Sequence, residues 1–127
     1  MANGVIARDG TCFALLTKYS FTGGHAMTVP YKQVSDFNGL TVEEMSDLMQ
    51  LTRRCQNAIT KVIHPDGFNL GVNLCKRAGP GIIEHLHIHI VPRWNGDTNF
   101  MPILAQTTVV PQALSELAAQ LRAELAK

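Results

Sequence analysis

The sequence predicts an α+β domain: an antiparallel sheet of roughly five strands with one long helix and a C-terminal helix. Three observations point there. "EHLHIHIVPRW", Glu84 to Trp94, alternates polar and aliphatic residues, which is the period of a strand with one face of each kind. "LTVEEMSDLMQLTRRCQNAITKVIH" carries apolar residues at the helical period. Short alternating segments bounded by Gly, Pro, Asn and Asp lie on both sides of that helix.

Taken in order, "VIARDGTCFALL" reads as two strands joined by Asp9-Gly10, a dipeptide suited to the positive φ angles of a tight hairpin. After Gly23-Gly24, "HAMTVP" is a third strand that stops at Pro30 for want of an N–H, so His25 sits at a strand start. The helix opens with Thr41 three residues before Glu44, a capping-box pattern, and its stripe of Met45, Leu48, Thr52, Cys55, Ile59 and Val62 is core packing. In "PDGFNLGVNL", Phe68, Leu70, Val72 and Leu74 alternate with Asn69, Gly71 and Asn73, a fourth strand with one polar face. "KRAGPG" is a glycine-rich connector into the histidine strand. Beyond that strand "PRWNGDTNFMP" is loop-like and "ILAQTTVV" extended, and "PQALSELAAQLRAELAK" is a closing helix with Pro111 at its start.

A chain of 127 residues, 46% of them hydrophobic, suffices for one domain over 1–127 with one core. A net charge of +1 gives no basic field for a nucleic-acid polymer, while a small anionic ligand is admissible. Cys12, Cys55 and Cys75 have neither disulfide nor zinc-knuckle spacing and read as reduced thiols of a cytoplasmic protein. The apolar run Cys12 to Leu16 is too short for a signal peptide or a membrane span, so no membrane partner is expected.

The histidines carry the functional signal. Three of the five stand at alternate positions, His85, His87 and His89. On a strand they share a face, about 6.6 Å apart and about 13 Å from first to last, too far for all three to reach one small metal ion. Histidine is the side chain best suited to proton transfer, nucleophilic attack or metal ligation near neutral pH. A neutral imidazole attacks phosphorus through one nitrogen when the other carries a proton held by a carbonyl, which fixes the tautomer and spreads the developing charge.

"HLHIHIV" fits the His-φ-His-φ-His-φ-φ signature of the histidine-triad nucleotide hydrolases and transferases, and "GGHAMTVP", "DGFNLGVN" and "PRWNGDTNF" resemble its companion segments. "PRWNGDTNFMP" is similar to the branch that includes diadenosine tetraphosphate phosphorylases. The resemblance covers nearly the whole chain. It implies a homodimer, a nucleotide as substrate and no cofactor. It also implies cleavage of an α-phosphate linkage of a dinucleoside polyphosphate through a nucleotidyl-histidine, with phosphate as the favoured acceptor. Resemblance and central position together make His87 the nucleophile. His89 then donates to a phosphate oxygen, with His85 and His25 as supporting hydrogen-bond partners. Asn73 matches a family asparagine that contacts ribose or phosphate. The backbone around Gly81 and Ile82 is expected to approach phosphate, and of Lys76, Arg77 and Arg93, the cations that flank the strand, one is expected to meet phosphate.

The chain also departs from the family. Many relatives have glutamine and serine where this chain has Gly81 and Ile82, so a side-chain donor to the leaving group is lost. Thr17 stands where an acidic or amide residue often meets the ribose hydroxyls. The Cys-x-x-Cys pair of many relatives is absent and Gln33 occupies an intervening ligand position, so no metal site is expected. Hydrolysis of a nucleoside phosphoramidate or adenylyl compound is the alternative within the family. A non-catalytic nucleotide-binding module and a metal-dependent cupin-like protein, with His25 as third ligand, are the rivals from other classes.

Overall fold

The computed structural model describes residues 4–17, 24–74, 85–96 and 111–127. Their elements are β1 (Val5–Arg8), β2 (Cys12–Leu16), β3 (Ala26–Pro30), a 3-10 turn (Phe37–Gly39), α1 (Val42–Ile63), β4 (Gly67–Val72), β5 (Ile88–Arg93) and α2 (Pro111–Leu125). The strands form one antiparallel sheet in the order β1-β2-β3-β5-β4. Five strands and two helices are the α+β architecture that the sequence predicts.

Helix α1 starts where its cap dictates. Thr41 Oγ1 accepts from Glu44 N at 3.1 Å and Glu44 Oε1 accepts from Thr41 N at 2.8 Å, so two orphan donors of the first turn are satisfied reciprocally. The helix ends at His64, whose φ of +55° is the left-handed conformation that closes many helices. It buries Leu48, Leu51, Thr52, Cys55, Ala58 and Ile59, and each of the larger aliphatic side chains contributes about 1.5–3 kcal/mol. Opposite them lie Cys12, Ala14, Leu16, Ala26, Ile88 and Ile90 from one face of the sheet. One polar pair crosses this interface. Thr52 donates its only hydroxyl proton to Leu48 O at 2.8 Å, so Thr28, 2.8 Å away, must donate to Thr52.

The first hairpin departs from expectation. Asp9 N bonds Cys12 O at 2.8 Å, which centres the turn on Gly10-Thr11, and Gly10 does not adopt positive φ. The Asp9 carboxylate accepts from Gly10 N at 2.7 Å and so belongs to the turn's hydrogen bonding. Gly24 does need its freedom: φ is +88°, and a Cβ there would stand 2.7 Å from Ile63 Cδ1.

The histidine strand is shorter than the alternation suggests. Buried and part-buried residues alternate from His85 to Arg93, but the ladder begins only at Ile88, paired with Thr28 and Val72. Ahead of it Leu86 N donates to Val34 O at 2.8 Å, so residues 85–87 are held by the connector after β3. On β4, which ends the sheet, Phe68 and Val72 pack against the core while Leu70 is 53% exposed, as is Leu74 beyond it at 39%. Among the described residues no helix is long and apolar enough to cross a membrane.

Candidate active site

The histidines emerge on the sheet face opposite α1. Buried Leu86, Ile88 and Ile90 point into the core, and strand alternation turns His87 and His89 to the other side. Register then sets their neighbours. His89 lies opposite Met27 on β3 and Gly71 on β4, and Met27 in turn opposite Leu15 on β2. A glycine beside His89 carries no side chain against its flank, and among the described residues a Cβ at Gly71 would meet nothing within 4 Å. Neither Met27 nor Gly71 stands out in the sequence. Their parity along each strand is legible, but the register that pairs them with His89 is not.

Each of the four imidazoles has a defined partner. His87 Nδ1 lies 2.7 Å from the His85 carbonyl oxygen, an arrangement in which the ring nitrogen donates and Nε2 keeps its lone pair. His85 Nε2 donates to Pro30 O at 2.9 Å. His25 Nε2 and His89 Nδ1 are 3.0 Å apart, so one of them donates to the other. The His87 and His89 rings meet edge to face with centroids 4.6 Å apart, and those of His25 and His89 are 5.1 Å apart. Burial, then the neighbouring charges of His89 and His87, push the His25 pKa down to about 4, so that ring is neutral at pH 7. Among the described residues no three His, Cys, Asp or Glu side chains form a set able to hold a metal ion.

The other expected site residues divide. Thr17 follows β2 and donates its N–H to His25 O at 3.0 Å, which sets it beside the histidines. Asn73 directly follows Val72, the partner of Ile88, and is therefore level with His87 at an exposed position. Arg93 lies on β5 with the same parity as His89, four residues further along. It pairs with Gly67 at the far end of β5, six residues from His87, or about 20 Å at the rise of a strand. There the Asn69 amide, oriented to satisfy both its ends, accepts from Arg93 Nη1 at 2.7 Å. The two line a shallow depression of about 380 Å³ with Asp66, Trp94 and Asn95. Lys76, Arg77, Gly81, Ile82 and the "ILAQTTVV" segment lie outside the described residues.

Comparison with known proteins finds relatives in sequence and in fold. The HIT domain family model matches residues 2–96. A Mycobacterium tuberculosis protein named AP-4-A phosphorylase is 42% identical over 97% of this chain, which spans 63% of that relative's length. The asymmetrical bis(5'-nucleosyl)-tetraphosphatase of Schizosaccharomyces pombe is 34% identical over 58% of this chain and 40% of its own. Among solved structures, the hypothetical histidine triad nucleotide-binding protein ST2152 of Sulfolobus tokodaii superposes with a TM-score of 0.78 at 22% identity, covering 99% of this chain and 85% of that one.

Proposed function

The chain belongs to the HIT domain family, and from that premise we propose that it splits a dinucleoside polyphosphate by way of a nucleotidyl group carried on His87. The observation that carries this reading is the 2.7 Å contact of His87 Nδ1 with the His85 carbonyl, which leaves Nε2 with its lone pair. In the first step Nε2 attacks the α-phosphorus, a P–N bond forms, and the P–O bond to the departing nucleotide breaks. The positive charge that develops on the imidazole is stabilised through Nδ1–H and the carbonyl. In the second step an oxygen of inorganic phosphate attacks the same phosphorus, the P–N bond breaks, and His87 returns neutral. From diadenosine tetraphosphate and phosphate the products are ATP and ADP.

His89 supplies a hydrogen-bond donor to the phosphate when its Nε2 carries the proton. That tautomer requires Nδ1 to accept from His25 Nε2–H, and the 3.0 Å contact supports it. A neutral His25 adds no charge against the cation forming nearby. Phosphate as acceptor rests on the relative named AP-4-A phosphorylase and on the loss of two polar side chains at Gly81 and Ile82. We assign the reaction to the cytoplasm, in keeping with the free, buried thiols of Cys12 and Cys55. We assign the working state to a homodimer that covers Leu70 and Leu74, exposed at and just beyond the edge strand β4.

The test is product analysis with diadenosine tetraphosphate, with and without millimolar phosphate. ADP that appears only with phosphate is the expected result. AMP as sole adenylyl product at an unchanged rate means a hydrolase, and the phosphate assignment is then wrong.

A further inference from the structure

The carbonyl that fixes the His87 tautomer does not belong to the β-ladder. It is that of His85, three residues before β5 begins at Ile88. A peptide outside the ladder lacks strand neighbours to set its orientation, yet the His87 nitrogen needs this oxygen in one place. The other end of the same peptide unit supplies the constraint. Its N–H is that of Leu86, and it donates to Val34 O at 2.8 Å. A trans peptide is planar with N–H and C=O pointing in opposite directions, so anchoring the N–H aims the carbonyl.

We propose that Val34 is a positioning residue for the nucleophile: its carbonyl, in the connector between β3 and α1, holds the His85–Leu86 peptide so that His87 keeps Nδ1 protonated and Nε2 free. Three groups then stand in series, Val34 C=O to Leu86 N–H, His85 C=O to His87 Nδ1–H, and His87 Nε2 to phosphorus. Each hydrogen bond in such a chain polarises the next. The end of β3 grips the segment a second time, because His85 Nε2 donates to Pro30 O at 2.9 Å. Residues 30–34 therefore do for residues 85–87 what strand pairing does for the remainder of β5. No side chain of the connector need touch substrate for it to govern turnover. The inference rests on the His87 reading above and extends it to the part of the chain that holds the nucleophile.

Gly39 gives a way to disturb Val34 without altering any histidine. A Cβ at position 39 would stand 2.6 Å from Val34 Cγ1 and 2.8 Å from Val34 Cβ, so Gly39→Ala must displace Val34, and Val34→Gly in the same chain removes the clash. Amide exchange at Leu86 reports the anchoring bond, and ¹⁵N NMR of His87 reports its tautomer. In Gly39→Ala, Leu86 exchanges faster, the Nε2–H tautomer of His87 becomes populated, and kcat falls roughly five- to tenfold with KM within about twofold, the size of one weakened hydrogen bond. Adding Val34→Gly restores the single tautomer and most of kcat. Faster exchange at Leu86 with an unchanged tautomer and unchanged kcat overturns the proposal. So does a wild-type Leu86 amide that exchanges as fast as an open loop, a measurement that needs no variant. Exchange and tautomer are read without turnover. If the tautomer responds as expected but neither chain cleaves a dinucleotide, the positioning role stands and the reading of the reaction falls.

Discussion

His25 Nε2 lies 3.0 Å from His89 Nδ1, and this contact ties the start of β3 to β5 on the sheet face away from α1. The two residues are 64 apart in sequence, so the pairing exists only while β3 and β5 are in register.

Acid should weaken the fold through His25. Its pKa is lowered from 6.5 to about 4 on folding, by burial first and by His89 and His87 next. Between those values the unfolded chain binds the proton that the folded chain refuses. Stability is thus retained above pH 6.5 and lost progressively as pH falls towards 4. Urea midpoints measured across this range should fall in the wild type and fall less steeply in His25→Gln, which cannot titrate. Parallel curves for the two chains would remove His25 as the cause.

His87→Ala should abolish turnover, by at least about a thousandfold, while nucleotide affinity changes only a few-fold, since the covalent route needs Nε2 and ground-state binding does not. Alkaline quenching of the wild type during turnover should trap labelled nucleotide on the protein, because a phosphoramidate survives base better than acid. Cleavage by the variant at near wild-type rate would contradict the assignment of the nucleophile.

A dimer should be detected by light scattering at micromolar concentration. Leu70 is 53% exposed on the strand that ends the sheet, and Leu70→Lys puts a charge on the surface that a second copy would cover. The variant should run as a monomer. A wild-type chain that is already monomeric refutes the proposal.

Thr52→Val should cost about 1–3 kcal/mol in denaturant unfolding, because it leaves the buried Thr28 hydroxyl without the acceptor it now has at 2.8 Å. The double change Thr28→Val with Thr52→Val removes both polar groups and should recover part of that loss. Additive losses in the double variant would show that the two hydroxyls are energetically independent.

The sequence by itself determined what depends on neighbours a few positions away. Thr41 and Glu44 are three residues apart, so their reciprocal cap is visible in the chain and is found at the start of α1. The alternation at His85, His87 and His89 likewise survives as a buried and part-buried pattern, since side-chain direction along an extended chain is a local property. The tertiary structure decided whatever joins distant segments. It halted the ladder at Ile88, gave His85 the carbonyl of Pro30, 55 residues away, and set Met27 and Gly71 on either side of His89. It also carried Arg93 to the far end of β5, where it meets Asn69. Periodicity specifies which face a side chain takes, whereas register and the carbonyl an imidazole reaches follow from the packing of the whole sheet against α1, which no local pattern encodes.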